Sequence, residues 1–139
     1  MYLVDTNVIS ELRRGAKADY GVRTFFERCA RDDHSAYLSV ITVGELRRGI
    51  ELIRHRNDLA QAQLLERWLD EVITSYQRFI LPVNTEIASL WATLRVPHHE
   101  NAFDKLIAAT AIHHGLTIVT RNERDFRGQS VEVLNPFSV

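Results

Sequence analysis

Four acidic residues fall where a chain of alternating strands and helices would turn over. Asp5 immediately follows the apolar run Tyr2-Leu3-Val4, and Asp125 comes a few residues after Leu116-Thr117-Ile118-Val119. Glu45 and Asp104 lie in the first turns of predicted helices, Glu45 in one that directly follows a predicted strand. In an open parallel sheet, ligands bind beyond the carboxyl ends of the strands, so these four acids are expected to face one rim. Carboxylates brought together repel and raise one another's pKa. A hard divalent cation with oxygen ligands relieves that repulsion, and Mg²⁺ typically combines one or two carboxylates with waters and substrate phosphates. Two such ions about 4 Å apart activate water and stabilise the leaving oxygen of a phosphodiester. Metal-dependent phosphodiester hydrolysis is the chemistry this pattern suits.

Each acid also has a structural reading. Thr42-x-x-Glu45 has the form of a capping box, and Asn101-x-x-Asp104 and Asn122-x-x-Asp125 resemble helix caps with an acid in the first turn. Asp5 could cap the helix after it or form an Asx turn. On that reading the chain is a non-catalytic, partner-binding α/β module, and the long amphipathic segment Leu59–Tyr76 serves docking as well as core packing. Other sites are poorly supported. His98-His99 and His113-His114 are adjacent pairs without the i, i+4 spacing of a zinc pair, and Cys29 reads as a small buried apolar residue. A receiver-type domain would want two adjacent acids after the first strand and a lysine after a late one, where this chain has Asp5-Thr6 and Arg121. An Asp-x-Asp phosphatase fails because Asn7 holds the second position.

The elements that must position the acids follow from periodicity. Strands are expected at Tyr2–Val4, Ala36–Ser39, Phe79–Leu81, Leu116–Val119 and Val131–Leu134. Helices are expected through Val8 and Leu12 to about Gly15, over Val22–Cys29, from Thr42 through Ile53, and over Leu59–Tyr76, Thr85–Leu94 and Phe103–His114. The last is apolar nearly all round and stops at Gly115, as a buried helix would. Short apolar strands alternating with helices predict an α/β fold, a parallel sheet covered on both faces. No linker or repeat interrupts the 139 residues, so one domain spanning 1–139 is expected.

Composition narrows the partners. Apolar residues make up 45% and charged residues 25%, as in an ordinary soluble domain. The absence of a long apolar window predicts no membrane span, and the single cysteine predicts a reducing, cytoplasmic setting. Seventeen Lys+Arg against 18 Asp+Glu give a net charge of −1, too acidic to grip nucleic acid by charge alone. The basic residues are nearly all arginine, with only Lys17 and Lys105 as lysines, and arginine's planar fork suits phosphate. Arg13, Arg14, Arg47 and Arg48 are candidate phosphate contacts, against the alternative of solvated helix faces.

Several segments carry a family resemblance. Leu3-Val4-Asp5-Thr6-Asn7-Val8-Ile9-Ser10-Glu11 resembles the opening of a PIN-domain nuclease, and Val43-Gly44-Glu45-Leu46-Arg47-Arg48-Gly49 its second acidic motif. Phe103–Ala111 and Thr120–Phe126 resemble the third and fourth, while Ile80-Leu81-Pro82-Val83 and Asn135-Pro136-Phe137 fit the VapC/FitB-type branch. The resemblance covers essentially the whole chain. It implies a PIN-like fold, with a twisted parallel sheet of about five strands and helices on both faces. It also implies the toxin of a toxin–antitoxin pair, an endoribonuclease dependent on Mg²⁺ or Mn²⁺. Asp5, Glu45, Asp104 and Asp125 match the acidic quartet, with Thr6, Asn7, Thr120 and Asn122 as supporting polar positions. The implied partners are an RNA substrate, a second copy of the chain, and a cognate antitoxin with a DNA-binding domain, alone or in a larger complex. The loop His98-His99-Glu100-Asn101 departs from the more neutral one expected there, and it could tune substrate access or, through Glu100, join the acids.

Overall fold

Strands of two to four residues hold their shape only when neighbours cover both faces, and this chain supplies that cover. In the computed structural model, which describes residues 1–138, the strands are β1 (Tyr2–Val4), β2 (Ala36–Ser39), β3 (Ile80–Leu81), β4 (Thr117–Val119) and β5 (Val133–Leu134). They form one parallel sheet in the order β3-β2-β1-β4-β5. The helices are α1 (Thr6–Glu11), α2 (Tyr20–Arg31), α3 (Val40–His55), α4 (Leu59–Ser75), α5 (Thr85–Leu94) and α6 (Ala102–His114).

Alternation along each strand divides the interior. Val4, Leu38 and Val119 face a core built with Val8, Ile9, Val22, Phe25, Leu46, Ile50, Leu69 and Val72 of α1–α4. Leu3 and Ile118 face the other side, where Ile107, Ala108 and Ala111 of α6 meet Phe126. Cys29 belongs to the first core, and burial raises its thiol pKa. The α/β architecture read from the sequence is therefore the one observed.

The order of strands sets the site. From β1 the chain steps outward to β2 and β3, then returns to place β4 on the other side of β1. The crevice between β1 and β4 is thus the topological switch point, where open α/β sheets bind ligands. Leu3 pairs with Ile118 and Val4 with Val119, so Asp5 and Thr120 leave the sheet side by side.

Some boundaries differ from expectation. Helix α3 starts at Val40, because the Ser39 hydroxyl at the end of β2 accepts the Ile41 N–H at 3.0 Å and caps the helix. Thr42 is therefore inside the helix, no capping box forms, and Glu45 lies beyond the first turn. Helix α1 tightens into 3₁₀ turns over Leu12–Lys17, broken at Gly15. The final strand is Val133–Leu134, shorter than Val131–Leu134, and at its ends the Ile118 N–H reaches Glu132 O and the Thr120 N–H reaches Leu134 O, both at 2.9 Å. Helix α6 ends as predicted, on Gly115 in the left-handed region at φ 66°.

The tail after β5 lies across the start of α2. Asp19 caps that helix by accepting the Val22 N–H at 3.1 Å, and it also accepts the Ser138 N–H at 3.0 Å. The Ser138 hydroxyl and N–H hold the Asp19 carboxyl down at about 2. At Gly21 a Cβ would sit 2.1 Å from the Pro136 carbonyl oxygen, so no side chain fits while the tail is in place. Gly44, by contrast, has open space around it in the exposed face of α3. Gly21→Ala is expected to destabilise by about 1–3 kcal/mol through overpacking, whereas Gly44→Ala should stabilise by up to about 1 kcal/mol through helix propensity. Urea unfolding of both variants checks the opposite signs.

Candidate active site

Asp5 is 4% exposed, and its carboxylate is held on both oxygens. Oδ1 accepts the Thr6 N–H at 2.8 Å, while Oδ2 accepts the Thr120 hydroxyl at 2.8 Å and the Asn7 amide at 3.4 Å. Thr120, fully buried, also accepts the Asn122 N–H at 3.0 Å. Asn7 Oδ1 accepts the Arg121 N–H at 3.1 Å, so the Asn7 side chain stitches the end of β1 to the loop after β4. All four polar positions singled out in the sequence, Thr6, Asn7, Thr120 and Asn122, thus belong to one hydrogen-bonded unit around Asp5.

Glu45 enters that unit from α3. Its Oε1 accepts the Thr6 hydroxyl at 2.6 Å, and the same hydroxyl is 3.1 Å from that of fully buried Thr42. Thr6 therefore bridges Asp5, through its N–H, to Glu45, through its hydroxyl. Thr42 acts as a buried support for that bridge, a role hidden in the sequence by its resemblance to a cap.

Asp104, half-buried in the first turn of α6, and Asp125, half-buried in the 3₁₀ turn Glu123–Phe126, complete the rim. Neither Asn101 nor Asn122 makes a side-chain cap hydrogen bond. Of the four acids, Asp5 alone caps a helix with its side chain, at the start of α1. Burial first, then the charges of Asp5, Asp125 and Glu45, push the Asp104 carboxyl up to about 6. Burial also raises Asp5, opposed by its Thr120 and Thr6 bonds and reinforced by Glu45 and Asp125. The four expected acids therefore share one electrostatic neighbourhood. Among the described residues, no three Asp, Glu, His or Cys side chains are already gathered as a ligand set for an ion.

A family model described as PIN domain matches residues 2–129. The chain belongs to the PIN domain family. It is 36% identical to Toxin FitB of Neisseria gonorrhoeae over 142 residues, with 99% of each protein covered. It is 31% identical to VapC ribonuclease Y4jK of Sinorhizobium fredii, covering 99% of this chain and 98% of that one. A crystal structure of FitAcB from Neisseria gonorrhoeae superposes with a TM-score of 0.83 at 33% identity, covering 98% of each chain. These likenesses place the protein in the FitB/VapC-type branch of the PIN domain family.

The remaining candidates of this PIN-domain chain sort by position. Glu100 pairs with His98 at 3.7 Å on the surface, and the acids that raise Asp104 are Asp5, Asp125 and Glu45, so Glu100 does not join them. Arg14 and Arg47 are engaged with Glu11 at 3.2 Å and Asp70 at 3.6 Å, and Arg48 is exposed. Arg13 lines a cleft of about 180 Å³ that also contains Thr6 and Glu45.

The raised Asp104 pKa has a consequence for stability. A carboxyl that binds its proton more tightly folded than unfolded costs stability above the folded value, and the cost fades as pH falls from the folded to the unfolded value. With EDTA present, Asp104→Asn is expected to melt roughly 2 °C above wild type at pH 7.5, a small margin because the group is half-exposed. That advantage should fall to about half by pH 5, since it vanishes only below the ordinary value of 3.8. Thermal unfolding at the two pH values decides it.

Proposed function

We propose that this PIN-domain protein is the toxin of a type II toxin–antitoxin pair, an endoribonuclease that hydrolyses RNA phosphodiesters with the help of Mg²⁺ or Mn²⁺. The observation that carries the reading is the gathering of four acids at the β1/β4 switch point, where the charges of Asp5, Asp125 and Glu45 add to burial in raising Asp104. The relatives named Toxin FitB and VapC ribonuclease support it. The donor set also fits the ion. It is made of carboxylate oxygens without cysteine or histidine, and the charges acting on Asp5 and Asp104 are those of other acids, as at a hard divalent cation's site. The open spacing of the acids suits an ion that keeps waters and takes phosphate oxygens as further ligands.

When bound, the ion supplies positive charge to the scissile phosphate and lowers the pKa of water there. Asp5, Asp104 and Asp125 are the residues to hold it, with Glu45 completing the cluster or orienting the attacking water. The protein's own work is orientation. Thr120 and Thr6 fix the two oxygens of Asp5, and the Thr6 hydroxyl fixes Glu45. Water attacks phosphorus in line and the 3′-oxygen departs, leaving a 5′-phosphate and a 3′-hydroxyl. A cognate antitoxin with a DNA-binding domain is the partner, and the working form is a homodimer or a larger complex with that antitoxin. No helix among the described residues is long and apolar enough to cross a membrane, and the cytoplasm is the proposed setting.

Cleavage of a mixed cellular RNA pool tests the reading. Discrete cuts with Mg²⁺ or Mn²⁺ are expected, absent in EDTA and reduced at least about 100-fold in folded Asp5→Asn and Asp104→Asn, in line with loss of an electrostatic group. Products ending in a 2′,3′-cyclic phosphate would overturn the in-line hydrolysis. Thr6→Val, which keeps the N–H bond to Asp5 but releases Glu45, should lose about 10–100-fold in rate, as ligand-orienting partners do.

A further inference from the structure

A cleft of about 630 Å³ opens beside Asp125, between the loop preceding α6 and the loop following β4. Arg124, Arg127 and Gln129 come from one loop and His98, Glu100 and Asn101 from the other, so the arginines share the cleft with the carboxylates of Glu100 and Asp125. Arg124, Asp125 and Arg127 also line a second cleft of about 350 Å³, where Arg121 joins them. Two clefts thus share a rim of arginines around one of the four acids. Arg121 is pinned there, its guanidinium 4.6 Å from the centre of the Phe137 ring and its N–H on Asn7.

The opposite wall is braced through its own backbone. Buried Lys105 donates from Nζ to the His98 carbonyl at 2.9 Å, Arg95 donates to the His99 carbonyl at 2.7 Å, and Trp91 donates to the Ala102 carbonyl at 2.9 Å. Arg95 in turn stacks on Trp91 at 4.9 Å. A loop fixed by its carbonyls spends little entropy when something binds against it. Gln129 adds a polar group in search of a partner, since its Oε1 is buried and makes no hydrogen bond among the described residues.

We infer that this cleft receives the nucleotide next to the scissile phosphate of a single-stranded RNA, with Arg124 and Arg127 on its phosphates and the Gln129 amide turned to its base. The inference rests on the ribonuclease reading and adds to it a subsite. Charge argues for it: an acidic rim in a chain of net charge −1 repels RNA unless cations flank it, and arginine forks pair with phosphate oxygens. Size argues for one strand. The volume is in the range of a small-molecule pocket, which admits an unstacked nucleotide but not a duplex, and RNA is read by sequence mainly in such unpaired segments. Gln129 Oε1 is buried in the free chain, so a donor on the base satisfies it once the side chain turns toward the cleft.

The test uses the full chain, a fluorescent single-stranded RNA oligonucleotide and a duplex of the same sequence. Binding is read by anisotropy in Ca²⁺ across a salt series, and kinetics with Mn²⁺. The double variant Arg124→Ala/Arg127→Ala, its folding checked by thermal unfolding, is expected to bind the single strand at least tenfold more weakly. Its slope of log affinity against log salt should be shallower by about 1.4, from about 0.7 per phosphate contact, and the kinetic loss should fall on KM more than on kcat. Gln129→Ala should change which nucleotide flanks the cuts. Arg31→Ala, at the amino-terminal edge of the sheet beside Asp32, should match wild type. Equal binding of duplex and single strand overturns the assignment, as do an unchanged KM and salt slope in the double variant. If those failures occur while wild type cuts RNA, the ribonuclease reading survives without the cleft. If wild type binds through the two arginines and does not cut, the cleft survives without the ribonuclease. Wild type that neither binds nor cuts sinks both.

Discussion

A carboxylate withdrawn almost wholly from water can keep its charge only if protein donors replace the lost solvent. For Asp5 those donors are the Thr6 N–H, the Thr120 hydroxyl and the Asn7 amide. Two belong to the residues that start α1, and the third closes the end of β4. The requirement to satisfy one buried acid therefore fastens the two central strands at their carboxyl ends. The rest of the rim is built outward from that fastening. Thr6 carries it to Glu45 on α3, and Asn7 carries it to the backbone of the loop that bears Asp125.

The rim is also polarised. Acids occupy the crevice, and their charges raise the proton affinity of Asp104, whereas Arg121, Arg124 and Arg127 stand outside them on a single loop. An acidic centre with a basic margin attracts an anion only along the margin, until a cation at the centre reverses the sign there. This arrangement lets a chain with nearly balanced charge engage a polyanion locally without binding it everywhere, since the long-range field of such a protein is weak.

Much of this was legible in the residues. Asp5 and Thr120 could be placed because a three-residue apolar strand ends immediately before each, and parallel pairing makes such ends coincide. Glu45 was harder. Ser39 and Thr42 are both good capping residues, and the helix starts on the first of them, with the Ile41 N–H on the Ser39 hydroxyl. That choice moves Glu45 deeper into the helix and frees it to meet Thr6. Lys105 was opaque. Its partner is a backbone carbonyl seven positions earlier, and nothing in a side-chain pattern announces a carbonyl. The need for glycine at position 21 was equally silent, because the atom that demands it belongs to Pro136, on a tail far along the chain.

The strand order has a temporal side. Asp5 and Thr120 are separated by 115 positions, and β1 waits at the middle of the sheet with one edge bare until β4 arrives. A nascent polypeptide emerges from its amino end, and structure can accumulate only among residues already outside the ribosome. Asp5 and Glu45 appear early, while Asp104, Thr120 and Asp125 come from the final third. Whatever chemistry the rim performs is therefore withheld during translation. A polypeptide halted before β4 lacks Asp125, and its central acid lacks the Thr120 hydroxyl that steadies it. Such truncated products would be inert by construction, without any inhibitor to restrain them.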